Sequence, residues 1–245
     1  MTPAKVLVFD IESAPITAYV WHRHDVDIAL NQIKKEGSII AWGAKWLNEP
    51  ASSIMYRDQR RAKDIEDDKQ LLIPLWKLLN EADIVVTHYG QNYDSPRLNA
   101  RFILHGLPPP KPYKHLDTYR IAKRAAEFTS NKLEYLTAKL CVKYKKSGHM
   151  KFPGMALWTE CLAGNLEAWN EMKRYNILDV LSTEELYHKL KAWTPASMPI
   201  LTYTGCRVCG TGTKMWRKGF EVRKSGRYHR YQCQVCRAWT MGGLE

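Results

Sequence analysis

Two carboxylates stand two residues apart in Phe9-Asp10-Ile11-Glu12-Ser13. They end an apolar, β-branched run, and on a strand residues i and i+2 share a face. Asp10 and Glu12 therefore point the same way, where like charges repel unless a cation lies between them. Hard divalent ions such as Mg²⁺ and Mn²⁺ prefer oxygen donors of this kind. Taken alone, the pair also reads as a solvated acidic edge. Asp94, in Tyr93-Asp94-Ser95-Pro96, comes where a buried run gives way to a helix. The amides and dipole of a helix start favour an acid, so Asp94 reads alone as a cap. Tyr175 and Asp179 are four residues apart in a long helical pattern, one turn apart on one face. Met172 and Leu186 fall close to that face, so it is expected to be buried, and a buried acid needs a partner or a metal. A tyrosine–aspartate hydrogen bond is the alternative there.

A second donor set closes the chain. Cys206-Arg-Val-Cys209 and Cys233-Gln-Val-Cys236 are two C-x-x-C pairs with 23 residues between them. Four thiolates at this spacing suit one tetrahedral Zn²⁺, and the tail resembles a zinc ribbon. A module of 45 residues has too little core to fold by apolar burial, so one structural Zn²⁺ is expected to supply its stability. Gly210 suits the tight turn after the first pair; Arg237, at the matching place in the second, does not. The stretch between reads as a hairpin turning at Lys224-Ser-Gly-Arg227. It is basic and aromatic, with Arg217, Arg223, Lys224, Arg227 and Arg230 interleaved with Trp216, Tyr228 and Tyr231. That mixture suits nucleic-acid contact, with protein contact as the alternative. Trp21 and His22, between the first two long strands, form a second candidate contact; an ordinary packed loop is the other reading.

These residues need a scaffold. Lys5–Asp10, Ser38–Leu47 and Ser52–Tyr56 read as strands, Ile65–Ala82 as a helix and Asp83–His88 as a buried strand. Ser95-Pro96 reads as an N-cap followed by proline at the first helical position, opening a helix to about His105. His115–Thr118 reads as a strand, Tyr119–Phe128 and Asn131–Val142 as helices, the second capped by Ser130. The longest helix is expected over Leu166–Trp193, with Trp169, Met172, Ile177, Val180, Leu190 and Trp193 buried. A Pro-bearing stretch then predicts a linker over 194–200. The expected organisation is an α/β domain over 1–193 and a small module over 201–245.

The 245 residues carry a net charge of +12 and 45% hydrophobic residues. This composition excludes disordered and collagen-like classes. Residues 201–245 hold nine Lys or Arg against two Glu, or +7, which favours a polyanionic partner. No apolar run approaches the ~20 residues of a membrane span, and the first residues lack a signal-like apolar run. A cytoplasmic protein without membrane contact is the expectation.

Taken together, D-x-E on the first strand, Tyr-Asp-x-Pro at a strand-to-helix turn and Y-x-x-x-D on a late helix resemble the DEDD family of 3′→5′ exonucleases. The similarity is greatest to predicted exonucleases related to the proofreading domain of family B DNA polymerases. It covers about residues 4–192, including Ser130-Asn-Lys-Leu-Glu-Tyr-Leu136. The resemblance implies a ribonuclease-H-like mixed sheet flanked by helices. It implies two Mg²⁺ or Mn²⁺ held by Asp10, Glu12, Asp94 and Asp179, with Asp10 bridging, and phosphodiester hydrolysis with DNA favoured over RNA. In such sites two cations about 3.5–4 Å apart stabilise both attack and departure. Tyr175 matches the tyrosine of the tyrosine subclass and would orient the attacking water; Arg174 stands where the other subclass has histidine. Two positions depart from the family pattern: Ser13 replaces threonine in the first motif, and Tyr89 replaces asparagine in the second. A ribonuclease or structure-specific endonuclease on the same fold is an alternative activity. A non-catalytic nucleic-acid-binding or partner-docking protein is the alternative from another class.

Overall fold

The computed structural model describes residues 4–24, 27–146, 148, 151–194, 206, 208–209, 214–223 and 226–244. The apolar run after Lys5 forms β1 (Val6–Ser13). A short antiparallel pair follows, β2 (Thr17–Ala18) and β3 (Ile33–Lys35), and then β4 (Ile39–Trp46) and β5 (Met55–Asp58). Next come α1 (Lys69–Glu81), β6 (Ile84–Thr87), α2 (Asp94–Leu104), β7 (Lys114–Asp117) and α3 (Thr118–Ala125). Three more helices complete the domain: α4 (Leu133–Leu140), α5 (Ala156–Leu162) and α6 (Leu166–Leu190).

Five strands form one mixed sheet in the order β5-β4-β1-β6-β7. β4 runs antiparallel to β1, whereas β6 and β7 run parallel to it, each reached through a helical crossover. The alternation of β1 divides its side chains between two cores. Leu7, Phe9 and Ile11 pack with Leu72, Leu75 and Leu79 of α1 and with Leu98 and Phe102 of α2. Val8 points the other way, to Val180 and Tyr187 of α6. On that second face α5 contributes Leu157 and Cys161 against Trp169 and Met172, while α3 and α4 pack on Leu186 and Leu190. The result is the expected α/β architecture, a mixed sheet with helices on both faces.

α6 runs against the direction of β1. Its Asn176 meets Asp10, which pairs with Gly43. Two turns later Glu184 receives hydrogen bonds from Lys45 and the Asn48 amide, beside the start of β1. The helix thus leads from the carboxyl end of β1 to its amino end.

Beyond α6, β8 (Met215–Arg223), β9 (Gly226–Cys233) and β10 (Trp239–Leu244) form an antiparallel sheet in the order β10-β9-β8. Residues 195–200 of the expected linker and Lys224 and Ser225 of the expected turn lie outside the described residues.

Several local expectations are corrected. Ser95 is not the cap of α2: the helix begins one residue earlier, at Asp94, after Tyr93. Ser130 accepts from the Lys132 amide at 3.2 Å, while Lys132 occupies the cap of α4. Trp193 lies past the end of α6 in a 3-10 turn and is 65% exposed. Arg237 does take the left-handed turn after the second cysteine pair, at φ +63°, with its guanidinium 5.1 Å from the centre of the Trp216 ring.

Candidate active site

β1 carries Asp10 and Glu12 toward α6, at the end of the sheet where a β-bulge follows Glu12. Asp179 arrives from α6. Carboxylate oxygens of Asp10, Glu12 and Asp179 lie within 4.8 Å of one another. Glu12 and Asp179 are buried, and Asp10 is partly covered. Gathering three acids in one place raises their proton affinity. Burial first, then Asp94 and Asp179, push Asp10 well above the ordinary carboxylate range. Burial and then Asp179 push Glu12 up to about 8.

Asp94 is buried at the first residue of α2, and its Oδ1 accepts the Ile11 amide at 3.2 Å. That bond ties α2 to β1 between the two acids of the D-x-E pair. Asp94 is outside the group of three, yet close enough to act on Asp10 electrostatically. Burial raises it to about 7, opposed by the amide hydrogen bonds it accepts.

Tyr175 stands one turn before Asp179, with the Trp158 ring edge-on at 6.1 Å. Burial and then Asp179 hold its hydroxyl above the ordinary phenol range, so it stays protonated at neutral pH. Lys146, from the loop after α4, donates to Asp179 Oδ2 at 2.6 Å and lies 4.5 Å from the centre of the Tyr175 ring. Burial works against its charge, but Asp179 and Tyr175 outweigh that and keep the ammonium above its ordinary range. Asn176 donates to Asp10 Oδ2 at 2.8 Å and fixes that carboxylate's orientation.

Two of these residues, Lys146 and Asn176, were not found by sequence reasoning, and Asp117 stood out near a strand but had no place in the motif set. Lys146 sits among other lysines in Lys143-Tyr-Lys-Lys146, and no spacing singles it out. Asn176 had a signal: it lies three residues before Asp179, on the same helix face. Asp117 had one too, as a buried acid at a strand end. Its carboxylate accepts the amides of Tyr89, Gln91 and Tyr119 and so fixes the loop before Asp94. In that loop Tyr89 takes a left-handed φ of +67°.

A cleft of about 760 Å³ opens beside Glu12, lined among others by Ser13, Ile16, Tyr93, Met155 and Trp158. At its wall the Arg97 guanidinium lies 3.6 Å from the centre of the Tyr93 ring. Trp21 and His22 are exposed on the arm between β2 and β3, and Trp21 is 89% exposed.

Cys206, Cys209, Cys233 and Cys236 bring their sulfurs within 4.8 Å of one another. Cys206 and Cys236 approach to 3.4 Å, Cys209 and Cys233 to 3.6 Å, and none of the four is in a disulfide. The amides of Val208 and Cys209 aim at Cys206 Sγ, and those of Val235 and Cys236 at Cys233 Sγ. Amides so placed stabilise thiolate, and four convergent sulfurs fit a tetrahedral Zn²⁺. The acidic group offers only oxygen donors and fits a hard divalent cation. Arg217 and Arg227 flank Phe220, with guanidinium carbons 5.5 and 3.7 Å from its ring centre; Arg230 lies over Trp239 at 4.6 Å. The side chain of Arg223 and all of Lys224 are outside the described residues. Among the described residues no helix is long and apolar enough to cross a membrane.

A model of the RNase H superfamily matches residues 27–191. The match begins after β1, so Asp10 and Glu12 lie outside it. No curated protein matches this chain. Among solved structures, the family B DNA polymerase from the hyperthermophilic archaeon Pyrobaculum calidifontis is similar, with a TM-score of 0.55 and 14% identity. The similarity covers 79% of this chain and 26% of the polymerase, so the chain spans about a quarter of that protein's length. At this identity the likeness is one of fold.

Proposed function

Because the chain belongs to the RNase H superfamily, we propose that it is a divalent-metal-dependent 3′→5′ exonuclease acting on single-stranded DNA ends. The observation that carries the reading is the convergence of Asp10, Glu12 and Asp179 from two elements on one point. The polarity is what the resemblance of the D-x-E, Tyr-Asp and Y-x-x-x-D order to the DEDD exonucleases implies, and the likeness to a DNA polymerase favours DNA over RNA.

Asp10, Glu12, Asp94 and Asp179 would hold two Mg²⁺ or Mn²⁺. When bound, such ions lower the cost of charge on the attacking water and on the leaving 3′ oxygen. Asn176 holds the Asp10 carboxylate in one orientation. The protonated Tyr175 hydroxyl donates a hydrogen bond to the water and lines it up with the phosphorus. Lys146 balances Asp179 and adds positive charge beside the scissile phosphate. Tyr93 and Trp158 give the cleft flat faces on which terminal bases stack. In this reading residues 1–193 form the catalytic domain, and 201–245 form a module built on one Zn²⁺.

Matched 3′- and 5′-labelled DNA and RNA oligonucleotides, incubated with Mg²⁺, Mn²⁺ or EDTA, test the proposal. Mononucleotides should leave from the 3′ end, and EDTA should stop their release. Asp10→Ala should cut turnover more than about a thousandfold, a loss of ~4 kcal/mol of transition-state stabilisation. Near-normal turnover in folded Asp10→Ala protein would overturn the reading.

A further inference from the structure

The course of α6 separates two kinds of chemistry. Asp179 belongs to the acidic cluster, whereas Ala192, just past the helix end, packs against the core formed by Cys206, Cys233 and Ala238. Tyr187, on the last turns of α6, has Cys236 close enough to act on its hydroxyl. Because α6 runs from the carboxyl end of β1 to its amino end, the cysteine module sits at the opposite end of the sheet from the acids. Thirteen residues at 1.5 Å each put the two about 20 Å apart along the helix. The module therefore lies outside the cleft beside Glu12.

Its surface nevertheless suits a polyanion. Trp216 and Trp239 both pair with Gln232, so they share one face of the three-stranded sheet, and Arg230 is on the same face two residues away. Both tryptophans are about two-fifths exposed. Lys218 and Arg237 lie 5.0 and 5.1 Å from the centre of the Trp216 ring, and Arg230 lies over Trp239. Flat rings flanked by cations take up stacked bases and neighbouring phosphates together. A face of this composition, on a module with a charge of +7, is complementary to a nucleic-acid backbone.

We infer that this face is a second, remote nucleic-acid site, engaged only by strands long enough to reach it from the acidic cleft. The inference rests on the nuclease reading for what happens at the other end of the strand. At ~3.4 Å per stacked nucleotide, 20 Å corresponds to about six nucleotides. A trinucleotide, spanning roughly 10 Å on the same measure, reaches the cleft alone. The module is thus a length gauge: it raises the affinity of long substrates and leaves short ones to the cleft.

The test compares a trinucleotide with 20-mers of DNA and of RNA, by fluorescence anisotropy of the full zinc-loaded chain without added Mg²⁺ or Mn²⁺ and by kcat/KM with Mn²⁺. Wild-type protein should bind the 20-mer at least a hundredfold more tightly than the trinucleotide. The salt slope of log affinity should be steeper for the 20-mer by about 1.4, two phosphate contacts at ~0.7 each. Lys218→Gln with Arg230→Gln should lower the 20-mer-to-trinucleotide affinity ratio about tenfold, and Lys218→Arg with Arg230→Lys should restore most of it. Zinc content confirms that each variant keeps its module. Equal salt slopes for the two lengths in wild-type protein overturn the inference, whatever the variants do. So does an affinity ratio that the glutamine variant leaves in place, in which case the face serves a protein partner. The comparison of DNA with RNA assigns the strand. Binding without hydrolysis of either length keeps the remote site and removes the nuclease reading; equal kcat/KM and equal salt slopes do the reverse.

Discussion

At the scale of single residues, the site joins anions that repel to a cation and a hydroxyl that moderate them. Tyr175 is the most direct probe. Tyr175→Phe keeps the ring beside Trp158 and Lys146 and removes only the hydroxyl. A positioning role predicts a fall in kcat of roughly ten- to a hundredfold with KM little changed. Steady-state kinetics at saturating substrate decides it, and an unchanged kcat would leave the hydroxyl a purely structural part. The sequence was informative here wherever a period applied. The two-residue repeat of a strand put Asp10 and Glu12 on one face, and the four-residue step of a helix did the same for Tyr175 and Asp179. Lys146 reaches Asp179 across 33 residues through an irregular loop, and no period describes such a contact. Asp117 was visible as an acid near a strand, but its hold on the Tyr89 loop from 28 residues away follows no period either.

At the scale of elements, the contact that aligns the two halves of the site is β4 against α6. Gly43 pairs with Asp10, and a Cβ at that position would stand 2.4 Å from Asn176 Oδ1 and 3.1 Å from Val180 Cγ2. Helix and sheet meet there only because residue 43 has no side chain. Gly43→Ala should push α6 outward, at a cost of about 1–3 kcal/mol, and loosen the Asn176–Asp10 bond. The expected readout is a Tm lower by several degrees together with weaker Mn²⁺ binding. A Tm equal to wild type would show that the helix yields freely. Long elements with a clear apolar pattern were legible, among them β1, β4, α1 and α6. The four-residue β6 and β7 were read as well, but α5 and β2 were not. α5 has seven residues, too few to establish a helical period, and β2 has two. The start of α2 shifted because the Ser-Pro signal is local, whereas Asp94 is drawn into the helix by its bond to the Ile11 amide.

At the scale of the whole molecule, buried titratable groups link stability to pH and to metal. Without metal, Glu12 and Asp94 keep their protons up to about pH 8 and 7, whereas in an unfolded chain they lose them near 4. Between those limits the native state binds more protons, so stability falls as pH rises. His88 and His115, lowered by burial to about 4, act in the opposite sense between pH 4 and 6.5, where the unfolded chain is the more protonated. From pH 6.5 to 8 only the carboxyls contribute. Stability without added Mg²⁺ or Mn²⁺ should therefore drop over that interval, by at most ~1.4 kcal/mol per pH unit for each carboxyl still protonated, and the Tm with it. Mn²⁺ or Mg²⁺ should flatten the profile by replacing the protons. Thermal melts across the interval, with and without metal, measure both slopes; a rising metal-free profile would contradict the burial of these acids. The expected α/β fold class matches the structure because sheet and helix patterns alternate along the chain. The seat of the cysteine module was not legible, because nothing in the sequence says which end of the sheet a helix leads to.

The strand order also governs how the molecule behaves in company. An open sheet edge presents unpaired amides and carbonyls to any neighbouring chain. In the five-stranded sheet both edges, β5 and β7, are four residues long. β5 ends in Asp58, clamped by Arg60, and β7 begins with the charged Lys114. Edges so short and so charged resist the addition of a foreign strand, and the α/β domain should stay dispersed when concentrated. The cysteine module is built differently: β8 is a nine-residue edge with Val222 80% exposed. Its protection lies in Arg217, Lys218 and the bulge between Arg217 and Phe220. If the module holds the proposed Zn²⁺, chelation should start aggregation from β8, and an excess of zinc during purification should guard against it.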